Sequence, residues 1–276
     1  MNLKSFLVRF LIALIFGPLL LIAVYKGSWY LLALVIIIVM LSLYEFYKLA
    51  EKKQVKAQYI IGGAASLAIV LAIFFRQPEL IIASILLLII ISFFQALYSH
   101  TGSPMLNVSV TVFGVFYFSF LTGSFLLLRD LSYSLGMDYN YAGGWFLLVF
   151  LTTWLGDTAA YVLGSYFGKH KLIKRISPNK SIEGAVAGFV FALIAAVICH
   201  FWFVRELRLI DSLVVGAIVG SFGQYGDLFE SMLKRDVGVK DSSNLIPGHG
   251  GVMDRFDSLL VSTPIVYLYL KYIALG

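Results

Sequence analysis

The longest uncharged stretch of the chain is the feature that most constrains its fold. No Asp, Glu, Lys or Arg occurs from Leu80 to Leu128, which is long enough for two transmembrane helices of about 20 residues each. Across the whole chain 60% of the residues are hydrophobic and 13% are charged, and the mean hydropathy is +0.91. Soluble domains carry roughly twice that charged fraction, about 25%. The sequence therefore predicts an all-α, polytopic integral membrane protein.

Hydropathy windows of about 19 residues predict about nine transmembrane helices. The apolar run from Phe10 to Val24 lacks a small-residue cleavage site, so we interpret it as a first span and not as a signal peptide. Cys199 is the only cysteine, which excludes an intramolecular disulfide. The predicted spans are 5–25, 28–47, 58–75, 80–99, 105–128, 143–166, 183–204, 209–230 and 254–274.

The distribution of Lys and Arg predicts the orientation of these spans. Most of the 21 basic residues lie on one side, at the N-terminus and in the loops after spans two, four, six and eight. The positive-inside rule places that side in the cytoplasm, and the protein in the cell (inner) membrane. The same bias accounts for much of the net charge of +6, so basicity gives no reason to expect nucleic acid as a partner. The residues on this side are Lys4, Lys48, Lys52, Lys53, Lys56, Lys169, Lys171, Lys174, Arg175, Lys180, Lys234, Arg235, Lys240 and Arg255.

Glycine divides the chain into two halves. Sixteen of the 24 glycines follow residue 142, and three G-x-x-x-G pairs there are of the kind that lets helices approach closely in lipid. We therefore interpret 1–142 as transmembrane scaffold helices, including any oligomer interface, and 143–276 as a compact catalytic transmembrane unit. The pairs are Gly164/Gly168, Gly184/Gly188 and Gly216/Gly220.

Acidic residues inside predicted spans are candidates for function. Asp157 lies within span six, and Asp227 and Glu230 lie near the end of span eight, where Ser231 and Lys234 share their helix face. A carboxylate at bilayer depth costs a few kcal/mol or more, so it needs a partner or a function. The structural alternative is an intramembrane ion pair, for example between Asp227 and Lys234 or Arg255.

Two other groups of titratable residues receive simpler interpretations. Glu45 precedes Lys48 by three residues near a predicted interface, and we interpret the two as a helix-end ion pair. His100, His170 and His200 are isolated in the sequence, and we assign no role to them.

The start of the last predicted span presents two carboxylates and a hydroxyl on one helix face. Asp254, Asp257 and Ser258 follow an i, i+3, i+4 spacing. Mg²⁺ takes such hard oxygen ligands, commonly one or two carboxylates with water and substrate phosphate. We expect these acids and the two of span eight to converge on one cation or a pair. The glycines of 248–251 would let the preceding loop turn tightly and present N–H groups to phosphate oxygens.

A second polar segment, Ser177–Gly184, precedes span seven. Ser177 before Pro178 predicts a turn, and Ser181 or Glu183 is placed to cap the following helix. Lys180 would then stand at a helix N-terminus, which attracts anions. The alternative is an ordinary positive-inside loop, but the particular residues favour phosphate contact.

These motifs together resemble a known family. Ser231-x-x-Lys-Arg235, Lys240-Asp241 and Pro247-Gly-His-Gly-Gly-Val-Met-Asp-Arg-Phe-Asp257 resemble the signature of the phosphatidate cytidylyltransferases, also called CDP-diacylglycerol synthases. Gly156–Tyr161 and Ser177–Gly184 are similar to the same family. The resemblance covers roughly the C-terminal half of the chain.

The resemblance implies an activity, a cofactor and a partner. CTP and phosphatidic acid would condense to CDP-diacylglycerol and pyrophosphate, with Mg²⁺ required, in a homodimer. Asp227, Asp254 and Asp257 would be the metal-binding acids. The candidate catalytic residues are Lys180, Lys234, Arg235, Lys240, Asp241, His249 and Arg255, and the candidate substrate-binding residues are Asp157, Ser177, Asn179, Ser181, Glu183, Ser231, Gly250 and Gly251.

The expected chemistry fits these residue types. A phosphate monoester is already an anionic nucleophile, so the reaction needs positive charge and positioning more than a strong base. His249 has two open interpretations, a hydrogen bond to phosphate or stabilisation of the turn. The alternative functions are a CTP-dependent lipid or polyprenol kinase, an ion-coupled transporter that uses Asp157 and Asp227, and a membrane scaffold.

Overall fold

The computed structural model describes residues 17–246 and 250–276, and its secondary structure is predominantly α-helical. The predicted first span therefore lies partly outside the described residues, and His249 lies wholly outside them. The helices are α1 Gly17–Lys26, α2 Ser28–Glu51, α3 Tyr59–Phe74, α4 Pro78–Tyr98, α5 Pro104–Arg129, α6 Leu131–Ser134, α7 Tyr139–Phe167, α8 Ile182–Trp202, α9 Leu209–Asp236 and α10 Met253–Tyr269.

Six of these helices, α2, α4, α5, α7, α8 and α9, are long and apolar enough to cross a membrane. The shorter helices α1 and α3 are also apolar. Within the described residues, each predicted span overlaps a helix. The prediction of a helical, polytopic membrane protein is thus confirmed, while the count of nine crossings stays a prediction.

The described residues contain three π-helical segments, two within long helices and one directly after α10. Phe116–Phe120 lies within α5, Val219–Gly223 lies within α9, and Leu270–Ala274 directly follows α10. A π-helical turn inserts a residue into the α-helical repeat and so changes which face the following residues present. In α9 this change comes just before the helical segment that contains Asp227.

The segment between α7 and α8 corrects one local prediction. We expected a turn to begin at Ser177, but Ser177–Ser181 forms strand β2 and pairs antiparallel with β1, Lys171–Ile173. Ile173 lies opposite Ser177 and Lys171 lies opposite Ser181. Pro178 has no N–H to donate, and a two-stranded hairpin consists only of edge strands, where proline is tolerated. Among the described residues the hairpin and one isolated bridge, Ile246 with Gly250, are the only strand pairings, so the prediction of an all-α fold is confirmed.

Contacts divide the described residues into two compact units. The first unit contains 17–23, 28–127, 236–246 and 250–255, and the second contains Val24–Gly27, Leu128–Arg235 and Phe256–Gly276. The predicted division at residue 142 concerns scaffold and catalysis, and it stays a prediction.

In the first unit, α2, α3 and α5 pack around Tyr47. Its hydroxyl donates a hydrogen bond of 2.8 Å to the carbonyl oxygen of Thr111. Gly62 and Gly114 lie against the Tyr47 ring, where a Cβ would overlap it. The buried phenol therefore has both the room and the hydrogen-bond partner that it needs.

In the second unit, glycines bring α7, α8 and α9 into close contact. A Cβ on Gly164 of α7 would lie 3.1 Å from the Cα of Gly184 in α8. Likewise, a Cβ on Gly216 of α9 would lie 2.7 Å from the Cβ of Ala196 in α8. These distances leave no room for a larger side chain, so the predicted role of the G-x-x-x-G pairs in close helix packing is confirmed.

Candidate functional site

Two acidic residues of the second unit each follow a glycine at a helix contact. Asp157 follows Gly156 on α7, where a Cβ would lie 3.2 Å from the carbonyl oxygen of Gly188 in α8. Asp227 follows Gly226 on α9, where a Cβ would overlap the carbonyl oxygen of Asp257 in α10. Each glycine allows a neighbouring helix to approach the backbone beside the carboxylate.

Close approach of α9 and α10 brings together a group of carboxylates. Asp157, Asp227 and Asp257, here called the acid cluster, lie near enough to interact electrostatically. The side chain of Asp157 keeps exposed surface, and Asp257 accepts a hydrogen bond of 2.7 Å from the N–H of Ser258. Asp227 of span eight and Asp257 of span nine therefore lie near each other, while the convergence of these acids on a cation stays a prediction.

Lys180 from strand β2 forms an ion pair with Asp227. Ser231, one turn further along α9, donates a hydrogen bond of 3.3 Å to the same carboxylate. The alternative interpretation of Asp227, an intramembrane ion pair, has Lys234 and Arg255 as its example partners in the sequence, whereas the structure pairs Asp227 with Lys180. Lys234 instead bonds Glu230 at 2.9 Å, four residues before it on the same buried helix face, a favourable spacing for such a pair.

The hairpin that carries Lys180 is anchored at three points. Ser181 caps α8 by accepting a hydrogen bond of 3.2 Å from the N–H of Gly184, which confirms its predicted capping role. Glu183 accepts hydrogen bonds from the N–H groups of Lys169 and His170 and contacts the His170 ring at 2.6 Å. His170 therefore has a partner that the sequence did not indicate.

The third anchor comes from α9. Arg235 donates a hydrogen bond of 3.2 Å to the carbonyl oxygen of Ile176, directly before β2. Since Arg235 shares α9 with Asp227, this bond holds the hairpin beside the helix that supplies the partner of Lys180. Arg235 thus contacts protein backbone in this structure, and its predicted catalytic role stays a prediction.

The remaining candidates lie at the surface or in the loop before α10. Ser177 is half-buried at the start of β2. Residues 237–246 and 250–252, the described part of the chain between α9 and α10, are here called the signature loop. The exposed candidates are Asn179, Lys240, Asp241 and Arg255.

In the first unit, Asp254 at the start of α10 accepts hydrogen bonds from the signature loop. The N–H of Ser242 donates to its Oδ2 at 3.0 Å, the hydroxyl of Ser242 at 2.9 Å, and the N–H of Gly251 at 2.8 Å. Gly250 has a φ of +83°, a conformation that favours glycine, and a Cβ there would lie 2.8 Å from Oδ2 of Asp254. The loop glycines are thus needed for its local geometry.

Sequence reasoning missed Glu45, whose assignment to a helix-end pair with Lys48 is wrong. Lys48 pairs with Glu51 at 3.0 Å. Glu45 is fully buried and accepts four hydrogen bonds from Ser242, Ser243, Val252 and Met253. The available signal was an acid inside a predicted span, the criterion that singled out Asp157 and Asp227.

The chemistry of the acid cluster fits a divalent cation. Its carboxylates are hard oxygen ligands, and the Lys180 ammonium shows that Asp227 can hold a positive charge. No group of three or more His, Cys, Asp or Glu side chains in the described part of the chain is arranged as a metal site. Mg²⁺ commonly takes only one or two protein carboxylates, with water and substrate phosphate as the other ligands. Mg²⁺ therefore stays a prediction.

Comparisons with known proteins agree with the motifs at this site. A phosphatidate cytidylyltransferase of Staphylococcus haemolyticus is 42% identical over 168 residues, which cover 59% of this chain and 65% of the relative. The enzymes of that name from Staphylococcus saprophyticus and Staphylococcus aureus are 40% and 39% identical over the same shares. The match thus spans slightly less than two thirds of the length of these relatives. The model of the cytidylyltransferase family matches residues 7–273, so the chain belongs to the cytidylyltransferase family.

Proposed function

We propose that the protein is a membrane nucleotidyltransferase that condenses CTP with phosphatidic acid, giving CDP-diacylglycerol and pyrophosphate for phospholipid biosynthesis. The observation that carries the proposal is the Lys180–Asp227 ion pair within the acid cluster. In this ion pair the ammonium could exchange the carboxylate for a phosphate, and the carboxylate could exchange the ammonium for a cation. The protein belongs to a family that transfers cytidylyl groups. The relatives named phosphatidate cytidylyltransferase support phosphatidate as the acceptor.

The reaction is a displacement at the α-phosphorus of CTP. A phosphate oxygen of phosphatidic acid forms a bond to the α-phosphorus, and the bond from that phosphorus to the oxygen bridging the α- and β-phosphates breaks. The bonding electrons leave with pyrophosphate. The nucleophile is already anionic at neutral pH, so no side chain has to remove a proton from it, and positioning and charge dominate the catalysis.

The basic residues supply that positioning. Lys180 would exchange its contact with Asp227 for one with a phosphate oxygen, because an ammonium donates to either anion. Lys234 is buried beside Glu230 and lies near Asp257, so it adds positive charge within the second unit. Lys240 and Arg255 are exposed and free to approach a soluble triphosphate.

The proposed cofactor is Mg²⁺. Asp227, Asp254 and Asp257 are the proposed metal-binding acids, from the resemblance of their motifs and from their oxygen ligands. When bound, the ion supplies positive charge that draws two polyanions together and favours departure of pyrophosphate. Asp157, Ser231 and the Ser177–Ser181 strand are the proposed substrate contacts.

The orientation and assembly are also proposals. The excess of basic residues places the hairpin and the signature loop on the cytoplasmic side, where CTP is available. Single cysteines at positions 172 and 244, in a Cys199→Ala background, should react with an impermeant thiol reagent only after the cells are opened. Labelling in intact cells would refute this orientation. A homodimer is expected from the family resemblance, and cross-linking of the purified protein would detect it.

The position of bond cleavage tests the proposed reaction. Purified protein is incubated with phosphatidate, Mg²⁺ and CTP labelled at either the α- or the γ-phosphorus. We expect the α-label in the lipid product and the γ-label in pyrophosphate, and no lipid labelling in the Asp257→Asn protein. Recovery of the γ-label in lipid would instead identify a CTP-dependent lipid kinase, in which an alcohol is phosphorylated and a general base is expected.

A further inference from the structure

Glu45 of α2 makes four hydrogen bonds to the signature loop and the start of α10. The hydroxyl groups of Ser243 and Ser242 donate to its carboxylate at 2.6 Å and 3.0 Å. The N–H groups of Val252 and Met253 each donate at 2.9 Å. One side chain therefore holds segments near both ends of the loop, although 197 and 208 residues separate Glu45 from Ser242 and Met253.

Because Glu45 is buried, its carboxylate requires these hydrogen bonds. Its exposed fraction is 0%, and a buried carboxylate is strongly unfavourable unless hydrogen bonds replace its lost hydration. All four donors come from the loop and the first residue of α10. If the loop moved away, the carboxylate would lose these partners, so the burial of Glu45 depends on the position of the loop.

The donors at the helix start add an electrostatic reason for this arrangement. Val252 and Met253 carry N–H groups at the N-terminus of α10, which have no acceptor within the helix. A carboxylate placed there satisfies them and interacts favourably with the helix dipole. Glu45 thus stabilises the first turn of α10, and Asp254 is the second residue of that helix.

Gly251 lies directly against the contact between Glu45 and Ser242. A Cβ there would overlap the hydroxyl of Ser242 and come within 2.5 Å of Oε2 of Glu45. The N–H of Gly251 donates to Asp254 at 2.8 Å, and the hydroxyl of Ser242 lies within hydrogen-bond distance of both carboxylates, which share its single proton. Gly251 therefore lets the carboxylates of Glu45 and Asp254 share one serine.

We propose that Glu45 is a positioning residue for catalysis, which orders the signature loop and thereby fixes the orientation of Asp254. The inference rests on the proposed function, because Asp254 is one of the proposed metal-binding acids. Glu45 itself touches neither substrate nor cation in this proposal. It extends the active machinery to α2, in the part of the chain predicted from the sequence to be scaffold.

A test must separate loop order from activity. A cysteine replacing buried Val252, in a Cys199→Ala background that retains activity, reports opening of the loop through its rate of reaction with a thiol reagent. In Glu45→Gln we expect this rate to rise, and the turnover number for CTP and phosphatidate to fall, each by about tenfold or more, as for a lost hydrogen bond to a charged group. Glu51→Gln, on the same helix but paired with Lys48, should change neither quantity.

Ser243→Ala provides a second variant if Glu45→Gln does not insert. It removes one donor to Glu45 and should change both quantities in the same direction, by less. In the double variant the two effects should not add, because both act through the same contact. Additive effects would contradict the proposed coupling.

The outcomes distinguish the proposal from the function on which it rests. An unchanged thiol reaction rate in Glu45→Gln, or a faster rate with normal turnover, would overturn the positioning role. If the native protein formed no CDP-diacylglycerol, the proposed function would fail. The thiol reaction rate would still decide whether Glu45 orders the loop.

Discussion

The acid cluster and the Glu45 contacts both consist of carboxylates inside a membrane protein, but their partners differ. In the second unit, Asp227 is paired with the ammonium of Lys180 and lies near other carboxylates. In the first unit, Glu45 and Asp254 accept hydrogen bonds from neutral serine and backbone donors. The first arrangement pairs one charged side chain with another, and the second joins carboxylates to neutral hydroxyl and backbone donors.

This difference indicates different functions. An ammonium contact can be exchanged for a phosphate or for a cation at modest cost, since the charge only changes partner. A buried carboxylate that is satisfied by backbone donors cannot release them without leaving them unpaired, which costs about 1–3 kcal/mol for each group. We therefore expect the acid cluster to act on substrate and the Glu45 contacts to hold structure.

The largest effect is expected from the acid cluster itself. Asp227→Asn and Asp257→Asn should each lower turnover roughly a thousandfold, because a proposed metal ligand contributes several kcal/mol to charge stabilisation. Membrane insertion and thermal stability should stay near native. The measurement is CDP-diacylglycerol formation across a Mg²⁺ titration, and activity within tenfold of native in both variants would remove the acid cluster from the catalytic site.

Asp254 combines the two roles that are compared here. It is a proposed metal ligand, and it also accepts three hydrogen bonds from the signature loop. We expect Asp254→Asn to lower turnover on the order of a hundredfold, through weaker loop contacts and a weaker metal site. The Mg²⁺ concentration for half-maximal activity should rise. Normal turnover at limiting Mg²⁺ would show that Asp254 serves only the loop.

Lys180 tests whether the ion pair of the acid cluster is used in the reaction. Lys180→Met should lower kcat/KM by roughly ten- to a hundredfold, as for loss of one hydrogen bond to a charged group. Lys180→Arg should recover part of the activity because it keeps the positive charge. Lys174→Met, at an exposed position of the same hairpin, is the matched control, and an equal loss there would point to general charge attraction.

Replacing Gly226 tests the close contact between α9 and α10 beside the acid cluster. Of the changes considered, we expect this one to have the smallest effect. Gly226→Ala should lower the free energy of unfolding by about 1–3 kcal/mol, because the added Cβ overlaps the backbone of Asp257. Gly63→Ala is the control, since no atom lies within 4 Å of a Cβ at that helical position. Thermal unfolding in detergent measures both, and equal stability of the two variants would contradict the close approach.

Much of this site was predictable from residues that are close in sequence. The spacing of Asp227, Ser231 and Lys234 placed them on one helix face, and the serine before α8 indicated its cap. The hairpin at Ser177–Ser181 was not predictable in the same way, because a serine–proline pair suits either a turn or an edge strand. The partner of Asp227 was also missed, since Lys180 lies on a different element.

The sequence by itself determined that this chain is a helical membrane protein of the cytidylyltransferase type. Long uncharged runs and a specific polar signature carry that information locally, because each helix satisfies its own backbone hydrogen bonds in lipid. Only the tertiary structure decided which carboxylate meets which donor. Glu45 and the signature loop, and likewise Lys180 and Asp227, are far apart in sequence, and their contacts exist only because packed helices bring their backbones together.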